Sequence, residues 1–111
     1  MMDAQDSITL EDEQRNHRRR QVRLDAMLSC MRSGLRGYIS QSAMVLNLSE
    51  GGCMVSCSST DGLTNDLHIV IAGLPAKIGC TVVGRTAVRL NLQFTEMLPP
   101  QVIDRLAARG F

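Results

Sequence analysis

The chain reads as a mainly β protein, a small barrel or sandwich of five to seven short strands with one C-terminal helix. Three observations predict this. Apolar residues alternate with polar ones at period two in several short runs. Clusters of Gly, Asn, Ser and Asp punctuate those runs, and only the final stretch changes to a helical spacing. With 111 residues and 12.2 kDa, the chain holds one hydrophobic core.

Residues 1–14 are expected to form a flexible acidic tail and residues 15–111 the folded domain. Val22, Leu24, Ala26, Leu28 and Cys30 share one parity, with Arg23, Asp25, Met27 and Ser29 on the other, which is a half-buried strand. Residues 32–37 form a turn. Tyr38 to Leu46 is one strand, or two broken near Ser40-Gln41-Ser42. Asn47 to Gly52 has the composition of a turn, since Asn and Ser bond nearby backbone and Gly tolerates positive φ. Cys53–Cys57 is a short strand, Ser58–Asp66 a polar loop, and Leu67–Ile71 a strand closed by Gly73-Leu74-Pro75. Ile78–Val83 and Ala87–Phe94 complete the strands. After Pro99-Pro100, the apolar residues Val102, Ile103, Leu106 and Ala107 recur at helical spacing up to Gly110, the pattern of a short amphipathic helix.

Composition excludes several classes of function. Tyr38, Phe94 and Phe111 are the only aromatic residues, too few for a base-stacking platform. Glycine-rich phosphate loops of the Gly-x-Gly-x-x-Gly or Gly-Lys-Ser kind are absent. His17 and His68 are isolated, and no carboxylate pair or nucleophile–base set is evident, so an enzyme is not expected. Cys30, Cys53, Cys57 and Cys80 do not form the two close pairs of a zinc site and read as buried free thiols; no metal is expected. The acidic N-terminus lacks the pattern of a secretory signal, so a cytoplasmic location and reduced thiols are expected.

The charge is uneven. Five acids fall in residues 1–13, whereas the remainder carries twelve bases against six acids, with Lys77 the only lysine. Arg15, Arg18, Arg19, Arg20 and Arg23 cluster within nine residues. Arginine presents a planar fork that suits phosphate and guanine edges. Arg19 and Arg23 are spaced Arg-x-x-x-Arg, as are Arg15 and Arg19. Asn47-Leu48-Ser49-Glu50-Gly51-Gly52 fits Asn-x-Ser-x-x-Gly.

These two segments, in this order and followed by short strands and a helix, resemble the PilZ domain, the bacterial receptor module for cyclic di-GMP. The resemblance spans roughly residues 15–109. It implies a six-stranded antiparallel β-barrel in which Arg19 and Arg23 hold guanine and phosphate, while Asn47, Ser49 and Gly52 form a turn against the other face. An arginine directly before the motif, here Arg18, is associated in the family with capture of an intercalated ligand dimer, so one or two ligands per chain remain open. The chemistry agrees. Arginine donates to guanine O6 and N7 and to phosphate, the Asn47 amide oxygen accepts from the guanine N1/N2 edge, and the Ser49 hydroxyl bonds either way.

The expected function is therefore a single-domain cyclic di-GMP receptor. Ligand orders its arginine segment, and the signal passes to an effector protein controlling motility, adhesion or exopolysaccharide output. No other cofactor, no DNA or RNA and no membrane insertion are expected, and the protein should be a monomer or weak dimer. Two rivals stand beside this reading: a PilZ-like interaction adaptor that binds no ligand, and a small nucleic-acid-binding barrel.

Overall fold

The computed structural model describes residues 19–31 and 37–109. The expected acidic tail, Arg15, Arg18, most of the first turn and the Gly110 stop lie outside the described residues.

Six strands form a closed antiparallel barrel: β1 (Arg20–Met31), β2 (Tyr38–Ser49), β3 (Gly52–Ser56), β4 (Asp66–Ile71), β5 (Ile78–Arg85) and β6 (Arg89–Phe94). The order around the barrel is β1-β2-β3-β6-β5-β4, with β1 pairing both β2 and β4. Helix α1 (Pro100–Arg109) follows. The fold class expected from the sequence is the one observed.

The period-two pattern sets the faces. On β1, Val22, Leu24, Leu28 and Cys30 are buried and Arg23, Asp25 and Met27 are exposed. The interior is aliphatic, filled by Leu28, Val45, Leu48, Val55, Ile69, Ile71 and Leu90. Parity breaks in the second half of β2. Val45 and Leu48 are both fully buried, so the two residues between them turn outward together. The cause is a pair of irregularities at the same level. β1 sets Val22 and Arg23 against Leu46, and β3 has no residue opposite Leu46. Such bulges increase twist and redirect side chains.

β2 runs unbroken through Ser40-Gln41-Ser42 and continues to Ser49. The expected turn from Asn47 to Gly52 is therefore corrected: Asn47 and Ser49 end β2, Gly52 begins β3, and only Glu50-Gly51 make the turn. The end of β6 and the segment after it secure that turn. Phe94 N donates to the Gly51 carbonyl at 2.8 Å, and Leu98 N donates to the Glu50 carbonyl at 2.8 Å.

The polar loop before β4 is held by Arg85. Its guanidinium donates to the carbonyls of Thr60 and Leu63, both at 2.9 Å, and to Asn65 Oδ1 at 3.2 Å. Helix α1 buries Ile103, Leu106 and Ala107, while Val102 is half-buried. Gly73, at φ +102°, lies where a side chain would press on Leu106 and Arg109, so the β4–β5 connection packs closely on the helix.

Cys30, Cys53 and Cys80 are buried free thiols, and Cys57 is half-buried. Burial pushes the Cys80 thiol from 9.0 up to about 12. It pushes Cys53 well above the ordinary thiol range, with nearby Cys80 adding to the rise and the Arg19 charge opposing it. An unfolded chain ionises these thiols near their ordinary value while the folded chain keeps them protonated. Stability should therefore hold below about pH 9 and decline as pH rises from 9 toward 12. Urea unfolding at pH 8, 9 and 10 checks this, and a Cys80→Ser variant should show a shallower decline.

Candidate functional site

The first residues of β1 and the last residues of β2 lie side by side. Gln21 pairs with Asn47 and Arg20 with Leu48. Directly opposed residues share a sheet face, and Gln21 is exposed while Asn47 is half-exposed. Arg19 and Arg23 are also exposed, so these two arginines flank Gln21 on the outside of the barrel.

The bulge at Leu46 gives Asn47 its outward aim. Without it, alternation from the buried Val45 would turn Asn47 inward. With it, Asn47 Oδ1 accepts a hydrogen bond from Arg19 Nη1 at 2.7 Å. That bond joins the two motif segments across 28 residues of sequence. Guanidinium offers five N–H donors, and among the described residues the Asn47 bond takes one of those of Arg19.

Ser49 and Gly52 are positioned differently. Ser49 is 5% exposed, and its hydroxyl donates to the Gly52 carbonyl at 3.3 Å across the hairpin. It belongs to the end of a strand rather than to a surface turn. Gly52 is buried, does not have positive φ and begins β3, so the expected turn glycine is corrected to a strand residue. A Cβ at Gly52 would overlap the Leu92 carbonyl oxygen of β6. Glycine is needed here because β3 and β6 approach closely, which no local sequence pattern reveals. Arg18 lies outside the described residues.

Loss of the Ser49 hydroxyl removes one buried hydrogen bond, typically about 1 kcal/mol. Ser49→Ala should therefore lower the melting temperature by roughly 4–8 °C for a domain of this size. Thermal melts followed by circular dichroism check this, and an unchanged Tm would show that the hydroxyl does not hold the hairpin.

Three further residues emerge that sequence reasoning did not select. Gln21 occupies the centre of the polar face. Arg20 Nη1 meets Asp104 Oδ1 of α1 at 2.6 Å, an ion pair spanning 84 residues. Arg20 was visible only as one arginine among five.

Among the described residues, this face is formed by the exposed Arg19, Gln21 and Arg23 and the half-exposed Asn47. A cavity of about 670 Å³ lies elsewhere, among Cys30, Tyr38, Asp66, His68, Cys80 and Thr95, and includes none of the motif residues. Among the described residues, no three His, Cys, Asp or Glu side chains group as metal ligands, and no helix is long and apolar enough to cross a membrane. The arrangement offers outward guanidinium donors beside an amide, suited to an anionic ligand with hydrogen-bonding edges. A family model described as PilZ domain matches residues 13–109. No curated protein matches the chain.

Proposed function

The chain belongs to the PilZ domain family, and from that premise we propose that it is a cyclic di-GMP receptor that passes its signal to a partner protein. PilZ is a family of binding and adaptor domains rather than of enzymes. The observation that carries this reading is the Arg19–Asn47 hydrogen bond, which unites both halves of the motif on one exposed surface.

In the proposed complex, Arg19 and Arg23 donate to phosphate and to guanine O6 and N7, and Asn47 accepts from the guanine N1/N2 edge. Gly52 keeps the hairpin seated on β6. Ser49 contributes through the hairpin it closes, and its hydroxyl reaches ligand only if its bond to Gly52 opens. Arg18, next to this surface in sequence, is the residue proposed to engage a second, stacked ligand. The expectation that ligand orders the arginine segment is corrected for its second half: Arg20 and Arg23 already belong to β1 and Arg19 is bonded to Asn47, so the ligand's two phosphates offset repulsion among arginines that the barrel already holds. The partner, a cytoplasmic setting and control of motility, adhesion or exopolysaccharide output belong to this proposal.

The test is isothermal calorimetry with cyclic di-GMP and, in parallel, with a short single-stranded RNA. Saturable binding of cyclic di-GMP at micromolar or lower concentration, with RNA at least tenfold weaker, is expected. Tighter RNA binding would favour the nucleic-acid reading. A second reading, an adaptor that needs no ligand, draws on the exposed cross-strand pairs Met27–Val70 and Met31–Tyr38. No heat with either titrant would favour it.

A further inference from the structure

Arg19 and Arg20 are consecutive, yet they are held by different parts of the molecule. Arg19 is tied to Asn47 on the outside of the barrel. Arg20 has the parity of the buried Val22 and Leu24, and it reaches Asp104 on α1 at 2.6 Å. Successive strand residues point to opposite faces, so a grip on Arg20 fixes the direction in which Arg19 leaves the strand.

The grip is exposed but well founded. Asp104 follows Ile103, which is 4% exposed, on a helix whose Leu106 and Ala107 are also buried. Its carboxylate therefore sits on a rigid support. The other motif half is tied to the same stretch of chain, through the Phe94 and Leu98 amides on the Glu50-Gly51 turn. Both halves of the candidate site are thus referenced to the segment running from the end of β6 into α1.

We propose that Asp104 is a positioning residue for the ligand surface: by holding Arg20 it aims Arg19, so the seating of α1 sets affinity. This rests on the cyclic di-GMP reading. Binding and helix position are then reciprocally linked, and whatever displaces α1 weakens ligand by the factor by which ligand opposes displacement.

The sign of one substitution separates positioning from simple charge. Asp104 is negative and lies near a surface meant for an anion. If only its field mattered, Asp104→Asn, and still more Asp104→Arg, would tighten binding. Positioning requires the opposite. Calorimetry with cyclic di-GMP should show Asp104→Asn about two- to fivefold weaker than wild type, in line with the modest strength of exposed ion pairs. Asp104→Arg should be weaker still. The exchange Arg20→Asp with Asp104→Arg, which rebuilds the pair with its charges reversed, should return affinity to within about twofold of wild type.

Equal or tighter binding by Asp104→Asn would overturn the proposal. So would failure of the exchange to rescue, because Arg20 would then act on the ligand directly. Asp104 is solvent-exposed, so Asp104→Asn should melt as wild type, and that variant alone carries the sign test if Asp104→Arg does not fold. Absence of binding by wild type would overturn the cyclic di-GMP reading itself, whereas wild-type binding with no Asp104 effect overturns only this inference.

Discussion

Gly52→Ala should be the most damaging single substitution at the candidate site. The added carbon meets the Leu92 carbonyl oxygen, part of the backbone of β6. Backbone held in a ladder on both sides cannot yield as a side chain can. β3 and β6 must separate, loosening the Gly52–Gln93 and Cys53–Leu92 pairings. Overpacking in a closed core costs about 1–3 kcal/mol, and more where the partner is rigid. A loss of at least 3 kcal/mol, roughly 12 °C or more in Tm, is expected. Calorimetric melting measures it. Cyclic di-GMP binding should disappear together with the fold, and a Tm within about 2 °C of wild type would show that the strands are not so closely apposed.

Arg23→Ala should behave in the opposite way, leaving the fold intact and removing ligand. Arg23 is exposed at the β1 bulge, and substitutions on exposed strand positions usually change stability by less than about 0.5 kcal/mol. Removing a charge-assisted, bidentate arginine from the complex costs about 1.5–3 kcal/mol, which is tenfold or more in affinity. Arg23→Lys should recover only part of it, since an ammonium keeps the charge but not the fork. Melting and calorimetry on the same samples check both halves, and full affinity in Arg23→Ala would shift the functional frame to Arg15 and Arg19.

Much of the architecture could be read from residue order. The run Val22, Leu24, Ala26, Leu28, Cys30 predicted one wall of the barrel because a strand with one buried face must alternate. Val102, Ile103, Leu106 and Ala107 predicted the buried side of the helix for the corresponding reason. The end of β2 was not legible. Asn47 and Ser49 have turn-forming side chains, but cross-strand pairing on both sides of β2 overrides that local preference. The outward aim of Asn47 arises from a bulge whose position depends on three strands at once. Gly52 announced a special backbone position, although not its cause, which lies on β6. The Arg20–Asp104 pair could not be found at all, because no local pattern links the first strand to the last helix.

The place of β6 has a consequence for how the molecule is made. Although it is the last strand in sequence, it lies between β3 and β5. Until Arg89–Phe94 is available, β1 to β5 can pair only as an open sheet in the order β3-β2-β1-β4-β5, with a bare edge on each side. Both edge strands carry buried-type residues, Val55 on β3 and Cys80 on β5, and unpaired edges of this kind recruit other chains. The most vulnerable state is therefore the five-stranded open sheet that precedes the pairing of β6. Closure must then wait for pairings between residues distant in sequence, which are intrinsically slow to form. The arrival of β6 satisfies both edges in a single step, and the amides of Phe94 and Leu98 then cap the β2–β3 turn.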